Sequence, residues 1–539
     1  MPKILRPPMV RLLFICMLAL LMRAALMSAW VRHPGIADPN HYYNMGVRLV
    51  EGHGFTIDYI WQYNAPPASI VHPEEHWMPL TAALAAIPMA WNGISVPSAL
   101  LLFMVMGSAL PAVSYWGARQ LHLAPNPALW AAAACAVMPE LVLNSLRTDT
   151  TIPFSLLVCL SICLVVYASK TTVRPTRRWL VFIVAGALAG LSYLTRNDGI
   201  LLLPMMFGYW LILRLLWRSL PDALTILSGG RRLAAALTVV YTVTAILVAV
   251  PWLIRNLNEI GSLGSPETTD MFFFTHHNDH YAFGRAFTLE TMLAAQTPQE
   301  IIGKRLFEMA AAVKMMVTSL GVVLPVAVAG GVLLLLLTRR DPVSRARLRA
   351  TAPTLLLLAG GFVAYTVFIP YKAQAGSFKK FFLALLPLLI PIGAYAIERM
   401  VAGSIARTRL WLMTLVLLAA FAVDTVRLDQ QQTSRYLASM ERVAAVARTM
   451  VDRNRDGQII LMAQDPFMLR YVGYSSIMYP WEDVDTILQI AQRYGVDYLL
   501  FPPDRPQLDP IANEEETDPR FVEEVRVRGT DFSIWSYTP

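Results

Sequence analysis

Two carboxylates and a group of cations stand where long apolar runs of this chain end. Asp38 lies in Ala37-Asp38-Pro39-Asn40-His41-Tyr42-Tyr43-Asn44, and Asp149 closes Arg147-Thr148-Asp149. The cations are Arg196 in Thr195-Arg196-Asn197-Asp198-Gly199, Arg255 before Asn256, and Lys372, Lys379 and Lys380 in one further segment between runs. A carboxylate can take a proton from a hydroxyl, and cations can steady a phosphate leaving group. The bland alternative for a single loop acid is plain solvation, and for the cations it is contact with phospholipid headgroups. His72, Glu74, Glu75 and His76, with His276-His277-Asn278-Asp279-His280, add residue types that bind metals. They could supply ligands to a divalent cation, with Asp149, Glu75 and His76 as the candidate set; otherwise they are polar loop residues beside the same site.

The elements that must position these groups follow from composition. The chain has 539 residues, of which 56% are hydrophobic and 15% charged, and its mean hydropathy is +0.48. Soluble domains carry about 25% charge. Apolar runs of bilayer-spanning length recur at 10–31, 97–118, 126–144, 150–169, 179–195, 199–217, 233–254, 312–338, 352–370, 380–397 and 409–427. The class is therefore an α-helical polytopic membrane protein with about eleven transmembrane helices. One more run, 78–91, is shorter and holds Pro79 and Pro88. The four cysteines, Cys16, Cys135, Cys159 and Cys163, all fall in apolar runs, so no disulfide framework is expected.

Net charge is +8, which raises the question of a nucleic-acid partner. The basic residues, however, collect in alternate loops: before the first run, around Arg119, at 170–178, 214–232, 339–349 and 399–409. That is the signature of membrane orientation, and no nucleic acid is expected. All these clusters share one side only if 78–91 does not cross. It reads as a re-entrant or juxtamembrane helix, with the N-terminus cytoplasmic and the C-terminus outside. The first run has basic flanks like a signal peptide but reads as a retained anchor. No internal repeat or matched pair of broken helices favours a transporter.

Residues 1–427 then form a transmembrane domain with outer loops 32–96 and 255–311. From 428 charge density rises and apolar runs shrink to strand length at 458–462, 475–478, 496–501 and 532–537, around a helix-spaced stretch at 481–494. Residues 428–539 read as a small extracytoplasmic α/β domain. Within it Asp452-Arg453-Asn454-Arg455-Asp456-Gly457 opens like a calcium loop, but Ala463 stands where the twelfth-position glutamate belongs, so a turn is the better reading.

The order of motifs resembles the GT-C class of integral-membrane glycosyltransferases, the superfamily of protein O-mannosyltransferases and lipid A aminoarabinose transferases. Asp38, Tyr42/Tyr43, Gly52-His53-Gly54-Phe55, His72-Pro73 and Pro79-Leu80 follow the family's first loop and re-entrant helix. Asp149 matches its second acidic position, and Leu194-Thr195-Arg196-Asn197-Asp198-Gly199 resembles its Leu-Thr-Arg-Pro-Asp/Glu-Gly signature. Lys379-Lys380-Phe381-Phe382 with Pro387 and Pro391 resembles its Arg-Tyr…Pro…Pro helix start. Three departures stand out: Pro39-Asn40 after Asp38 in place of an acidic neighbour, Asn197 in place of proline, and Lys380 in place of arginine.

The resemblance implies transfer of a sugar from a polyprenyl-phosphate donor to an extracytoplasmic lipid, glycan or protein acceptor, in a bacterial inner (plasma) membrane. It implies catalytic roles for Asp38 and Asp149 and contact with the donor phosphate from Arg196, Arg255, Lys372, Lys379 and Lys380. Tyr42, Tyr43, His72, Glu75 and His76 would line the substrate. Some members bind a divalent cation and some do not. The competing classes are a flippase or transporter of lipid-linked sugar, and a non-catalytic envelope scaffold.

Overall fold

A computed structural model describes residues 7–538 apart from 64, 171–172, 217–229, 266, 322, 370–375, 451–458 and 514. Helices dominate, and many begin on proline. Asp38–Val50, Pro79–Asn92, Val96–Gln120, Pro125–Ala136, Pro139–Asn144, Pro175–Thr195 and Pro342–Val363 each carry one in the first or second position. There the missing N–H has no intrahelical partner to lose, and the fixed φ already suits the helix.

Among the described residues, seven helices are long and apolar enough to cross a bilayer: Pro7–Trp30, Val96–Gln120, Thr151–Ala168, Pro175–Thr195, Arg232–Ile260, Pro342–Phe368 and Ser404–Met450. The number rises to nine if Pro298–Ser319 with Val323–Leu337, and Ser377–Ala384 with Leu386–Met400, each count as one bent span. This is fewer than the eleven expected from hydropathy. The run 126–144 breaks into Pro125–Ala136 and Pro139–Asn144, because Pro139 starts a new helix. The run 199–217 begins as the 3-10 turn Asn197–Leu201 and leaves the 15-residue helix Leu202–Leu216. Hydropathy counts apolar residues and does not see either break.

The helix Pro79–Asn92 has 14 residues and rises about 21 Å, short of the roughly 30 Å hydrocarbon core. It packs against Asp38–Val50 and Val96–Gln120.

The last span does not stop near 427. Ser404–Met450 runs on as one helix of 47 residues, whose far end packs on the C-terminal sheet through Met440, Val443, Ala444 and Ala447. That sheet comprises β3 (Ile460–Ala463), β4 (Ser475–Met478), β5 (Tyr498–Phe501), β6 (Phe521–Arg526) and β7 (Ser533–Tyr537); β1 (Thr56–Ile57) and β2 (His72–Pro73) form a separate ribbon in the first loop. The strand order is β4-β3-β5-β7-β6, parallel across β4-β3-β5 and antiparallel beyond. Helix Val484–Arg493 falls within the stretch expected to be helical. Strand β6 has no counterpart in the sequence reading, since Phe521-Val522-Glu523-Glu524-Val525-Arg526 is a charged edge strand with alternate residues exposed. The calcium-like stretch 452–457 lies outside the described residues.

The first loop is bound to this domain by backbone. Met478 N–H donates to Ile60 O at 2.7 Å and Ile60 N–H to Ser476 O at 3.1 Å, so residue 60 extends the sheet beside β4. Tyr63 Oη donates to Met478 O at 2.5 Å, and Asn44 Nδ2 to Phe467 O at 2.9 Å.

Candidate active site

The helix Asp38–Val50 is aimed by the turn before it. Gly35 has φ 123°, and a Cβ there would come within 2.6 Å of the Pro39 ring, so the turn needs glycine. Ala37 sits at φ 58°, an uncommon conformation for a residue with a side chain. Thr148 holds the turn from outside: its N–H donates to Pro34 O at 3.3 Å and its hydroxyl to Pro39 O at 2.5 Å. The residues flanking Asp38 are thereby tied to the residue preceding Asp149.

Lys380 arrives from the third direction. Helix Ser377–Ala384 is anchored by the buried Phe378, Phe381 and Phe382. Phe381 lies flat against Gly361, where a Cβ would fall 2.0 Å from its ring. The chain bends by 56° between this helix and Leu386–Met400, and Ser155 Oγ donates to Ala384 O at the bend, at 2.8 Å.

These supports bring Lys380 Nζ to 2.7 Å from Asp38 Oδ2 and 2.5 Å from Asp149 Oδ2. One ammonium is shared by two carboxylates that lie 342 and 231 residues away in sequence. The carboxylates differ. Asp149 is 1% exposed, and it also accepts from Thr151 N–H at 2.9 Å and Thr151 Oγ1 at 2.7 Å. Burial alone would raise its pKa, but the Lys380 charge and the Thr151 donors outweigh it and hold the carboxyl below the usual range. Such an acid anchors a cation and is a poor base. Asp38 keeps a side chain that is 38% exposed.

Arg196 borders this cluster. Its Nε donates to Asp198 Oδ2 at 2.7 Å, and its terminal nitrogens to Thr150 Oγ1 at 3.1 Å and Ser377 O at 3.2 Å. It therefore ties the Asp149 loop to the start of the Lys380 helix. Tyr365 donates to the other oxygen of Asp198. Two further expected phosphate contacts, Lys379 and Arg255, have other partners. Lys379 pairs with Glu140 at 2.7 Å, facing away along the same helix. Arg255 donates to Glu74 O at 2.5 Å and Phe55 O at 2.7 Å, and its guanidinium lies 4.7 Å from the Trp252 ring centroid. In this structure it clamps the first loop. Lys372 lies outside the described residues.

A second cluster, buried next to Asp38, was only partly legible. His41, one helical turn after Asp38, is fully buried with Nε2 3.2 Å from Glu74 Oε2 and Nδ1 2.7 Å from Tyr59 Oη; its ring stacks on Trp77. Glu74 Oε1 accepts from the backbone N–H of His76 and Trp77, both at 2.8 Å. Burial works against the Glu74 charge, but His41 and these donors lower its pKa to about 2. The sequence assigns His41 no role and Glu74 only a place among possible metal ligands, although both stand inside the quoted motifs. Tyr42 packs edge-on against Trp77, Tyr43 against Tyr471, and His72 Nδ1 lies 2.9 Å from Ile70 O.

His76 Nδ1 meets Glu267 Oε2 at 2.8 Å, and His280 pairs with the other Glu267 oxygen. Glu267 carries no motif signal; only the fold brings loop 255–311 over the first loop. His76, His277 and Tyr281 all lie within electrostatic reach of Asp38.

Asp149, Glu75 and His76 do not converge as the ligand set weighed from sequence. Asp149 is taken up by Lys380 and Thr151, Glu75 accepts from Gln62 Nε2 at 3.3 Å, and His76 is held by Glu267. Among the described residues no three His, Cys, Asp or Glu side chains form a group that could hold a metal ion.

Burial and the neighbouring Glu74 charge raise the Glu75 carboxyl to about 7. A raised carboxyl pKa means that the folded state holds the proton more tightly. The carboxyl therefore adds no penalty below its ordinary value near 4.5, and destabilises increasingly as pH rises from there to about 7. Glu75→Gln should leave the apparent Tm in detergent unchanged at pH 4.5 and raise stability at pH 8 by about 1–2 kcal/mol, allowing for partial screening. An equal effect at both pH values would show that Glu75 does not titrate in this way.

Comparison with known proteins gives a consistent likeness. Residues 71–254 match the family described as Dolichyl-phosphate-mannose-protein mannosyltransferase. No curated protein matches the sequence. Among solved structures, ArnT from Cupriavidus metallidurans bound to undecaprenyl phosphate aligns over 97% of this chain and 97% of its own, at 15% identity and a TM-score of 0.60. Its apo state gives the same coverage and identity with a TM-score of 0.59. The oligosaccharyltransferase AglB from Archaeoglobus fulgidus, in complex with an inhibitory peptide and a dolichol-phosphate, aligns over 91% of this chain and 69% of its own, at 12% identity and a TM-score of 0.53. At these identities the likeness is one of fold.

Proposed function

We propose that this chain belongs to the GT-C class of integral-membrane glycosyltransferases and moves a sugar from a polyprenyl-phosphate donor to an acceptor outside the cytoplasm. The observation that carries the reading is the single ammonium of Lys380 lying between the accessible Asp38 and the buried Asp149. An acceptor hydroxyl or amine attacks the anomeric carbon, and the bond from that carbon to the phosphate oxygen breaks. The electron pair leaves with the lipid phosphate, and the acceptor's proton passes to Asp38. Lys380 and Arg196 steady the charge on the departing phosphate. Asp149 keeps Lys380 in place.

The arrangement also suggests an order of events. In this structure Lys380 neutralises Asp38. A phosphate arriving at Lys380 competes for that ammonium and leaves Asp38 freer to accept a proton. Arg255, Lys372 and Lys379 are weaker candidates for phosphate contact, since Arg255 is spent on first-loop carbonyls and Lys379 on Glu140, and neither pairs with Asp38 or Asp149. Residues 1–427 serve as the transmembrane catalytic domain, and residues 428–539 as a domain outside the cytoplasm that covers the first loop. The N-terminus is cytoplasmic in this reading, following the alternation of basic loops.

The test is mass spectrometry of envelope lipids and proteins from cells with and without the chain. A mass of one sugar should vanish with the chain, naming donor and acceptor class together. A membrane-impermeant oxidant applied to intact cells should reach that sugar. Identical glycan profiles would sink the proposal, and a sugar shielded from the oxidant would reverse the orientation.

A further inference from the structure

Beside helix Asp38–Val50, on the side turned to the C-terminal domain, lies a cavity of about 340 Å³ lined by Tyr43, Asn44, Val47, Ile94, Arg470 and Tyr471. It is separate from the Lys380 cluster. Tyr43 and Val47 lie about 7.5 and 13.5 Å beyond Asp38 along the helix axis, and Asp38 is not among the lining residues.

Its charge is unbalanced. Asp58 Oδ2 accepts from Arg48 at 3.0 Å and from Arg470 Nε at 2.7 Å. Two guanidiniums share this one carboxylate, so the Arg48–Asp58–Arg470 group beside the cavity is net positive, with Glu441 a further carboxylate within electrostatic reach of Tyr471. An arginine bound through Nε still offers its terminal nitrogens as a fork to a phosphate. Tyr43 and Tyr471, with ring centroids 5.6 Å apart, supply aromatic walls with polar tips.

The mouth is apolar. Ile94 is 45% exposed; Trp91, three residues earlier, is 82% exposed, and Ile87 44%. Ile87 and Trp91 lie in the last turns of a helix too short to cross the bilayer and Ile94 just beyond it, and exposed apolar surface at that point suits the boundary of the acyl region.

We propose that this cavity binds the anionic phosphate headgroup of a membrane lipid. Arg470 takes the phosphate, Tyr43 and Tyr471 flank the headgroup, and the acyl chains leave over Ile94. The site does not depend on the transfer reaction proposed above.

The test places a photo-reactive residue at Ile94 of the full chain, in nanodiscs of phosphatidylcholine with a minor share of phosphatidylglycerol. After illumination, adducts should carry phosphatidylglycerol about tenfold above its share, because both lipids offer a phosphodiester but the quaternary ammonium of phosphatidylcholine is repelled by the arginines. Arg470→Gln should return the adducts to the nanodisc ratio. Val47→Trp fills the cavity while keeping both arginines and their Asp58 pairing, and should remove the adducts, which keeps the test decisive if Arg470→Gln disturbs domain docking. Excess inorganic phosphate should leave the adducts intact. Labelling in proportion to lipid content, labelling indifferent to Val47→Trp, or displacement by inorganic phosphate would each overturn the proposal.

Discussion

Asp38→Asn should fold, insert and bind a lipid-phosphate donor, yet transfer sugar about a hundredfold to ten-thousandfold more slowly, the usual contribution of a general base. Asparagine keeps the size of the side chain and its hydrogen-bonding capacity, so any loss reports the missing basicity. The position tolerates the change structurally, because the Asp38 side chain is 38% exposed and pairs with Lys380. Kinetics on the purified variant separate two roles. A base lost from the transition state lowers kcat and leaves the donor KM nearly unchanged, whereas a residue that only holds Lys380 raises the donor KM. If Asp38 merely forms the turn before Pro39, asparagine serves as well and turnover survives. Near-normal turnover by a folded variant would remove the general-base assignment without touching the glycosyltransferase reading.

The second large effect is expected at Lys380. If Lys380 contacts the donor phosphate as proposed, Lys380→Met removes that charged contact, costing about 1.5–3 kcal/mol, roughly tenfold to a hundredfold in donor use. It also strands Asp149, which is 1% exposed, and breaking a buried pair from one side costs about 3–5 kcal/mol in stability. The two effects can be told apart. Lys380→Met combined with Asp149→Asn removes the stranded charge and should recover much of the lost Tm while donor use stays low. Lys380→Arg keeps the charge and should retain most activity. Donor kinetics unchanged in the folded Met variant would take Lys380 out of the phosphate site, whatever the Tm shows.

The sequence by itself was sufficient for the membrane class and the mixed C-terminal fold, because these depend on linear properties. Hydropathy summed over about twenty residues decides what enters a bilayer, and strand-length apolar runs mark a sheet. Asp38, Asp149, Arg196 and Lys380 were visible for a related reason: charge beside a long apolar run is costly enough to stand out.

Partnerships were not visible. Whether a basic residue at a helix end meets phosphate, a carboxylate or a backbone carbonyl depends on how the helix is rotated and bent. Lys379 and Lys380 are adjacent in sequence, yet the first faces Glu140 and the second faces Asp38 and Asp149, since neighbours on a helix point about 100° apart. The bend after Ala384, the clamp of Arg255 on Phe55 and Glu74, and the meeting of His76 with Glu267 and His280 all require segments distant in sequence to pack first. Loop 32–96 likewise gave no sign that residue 60 would join the C-terminal sheet. Strand pairing is set by backbone groups that every residue carries, so only the tertiary structure decides which edge is filled.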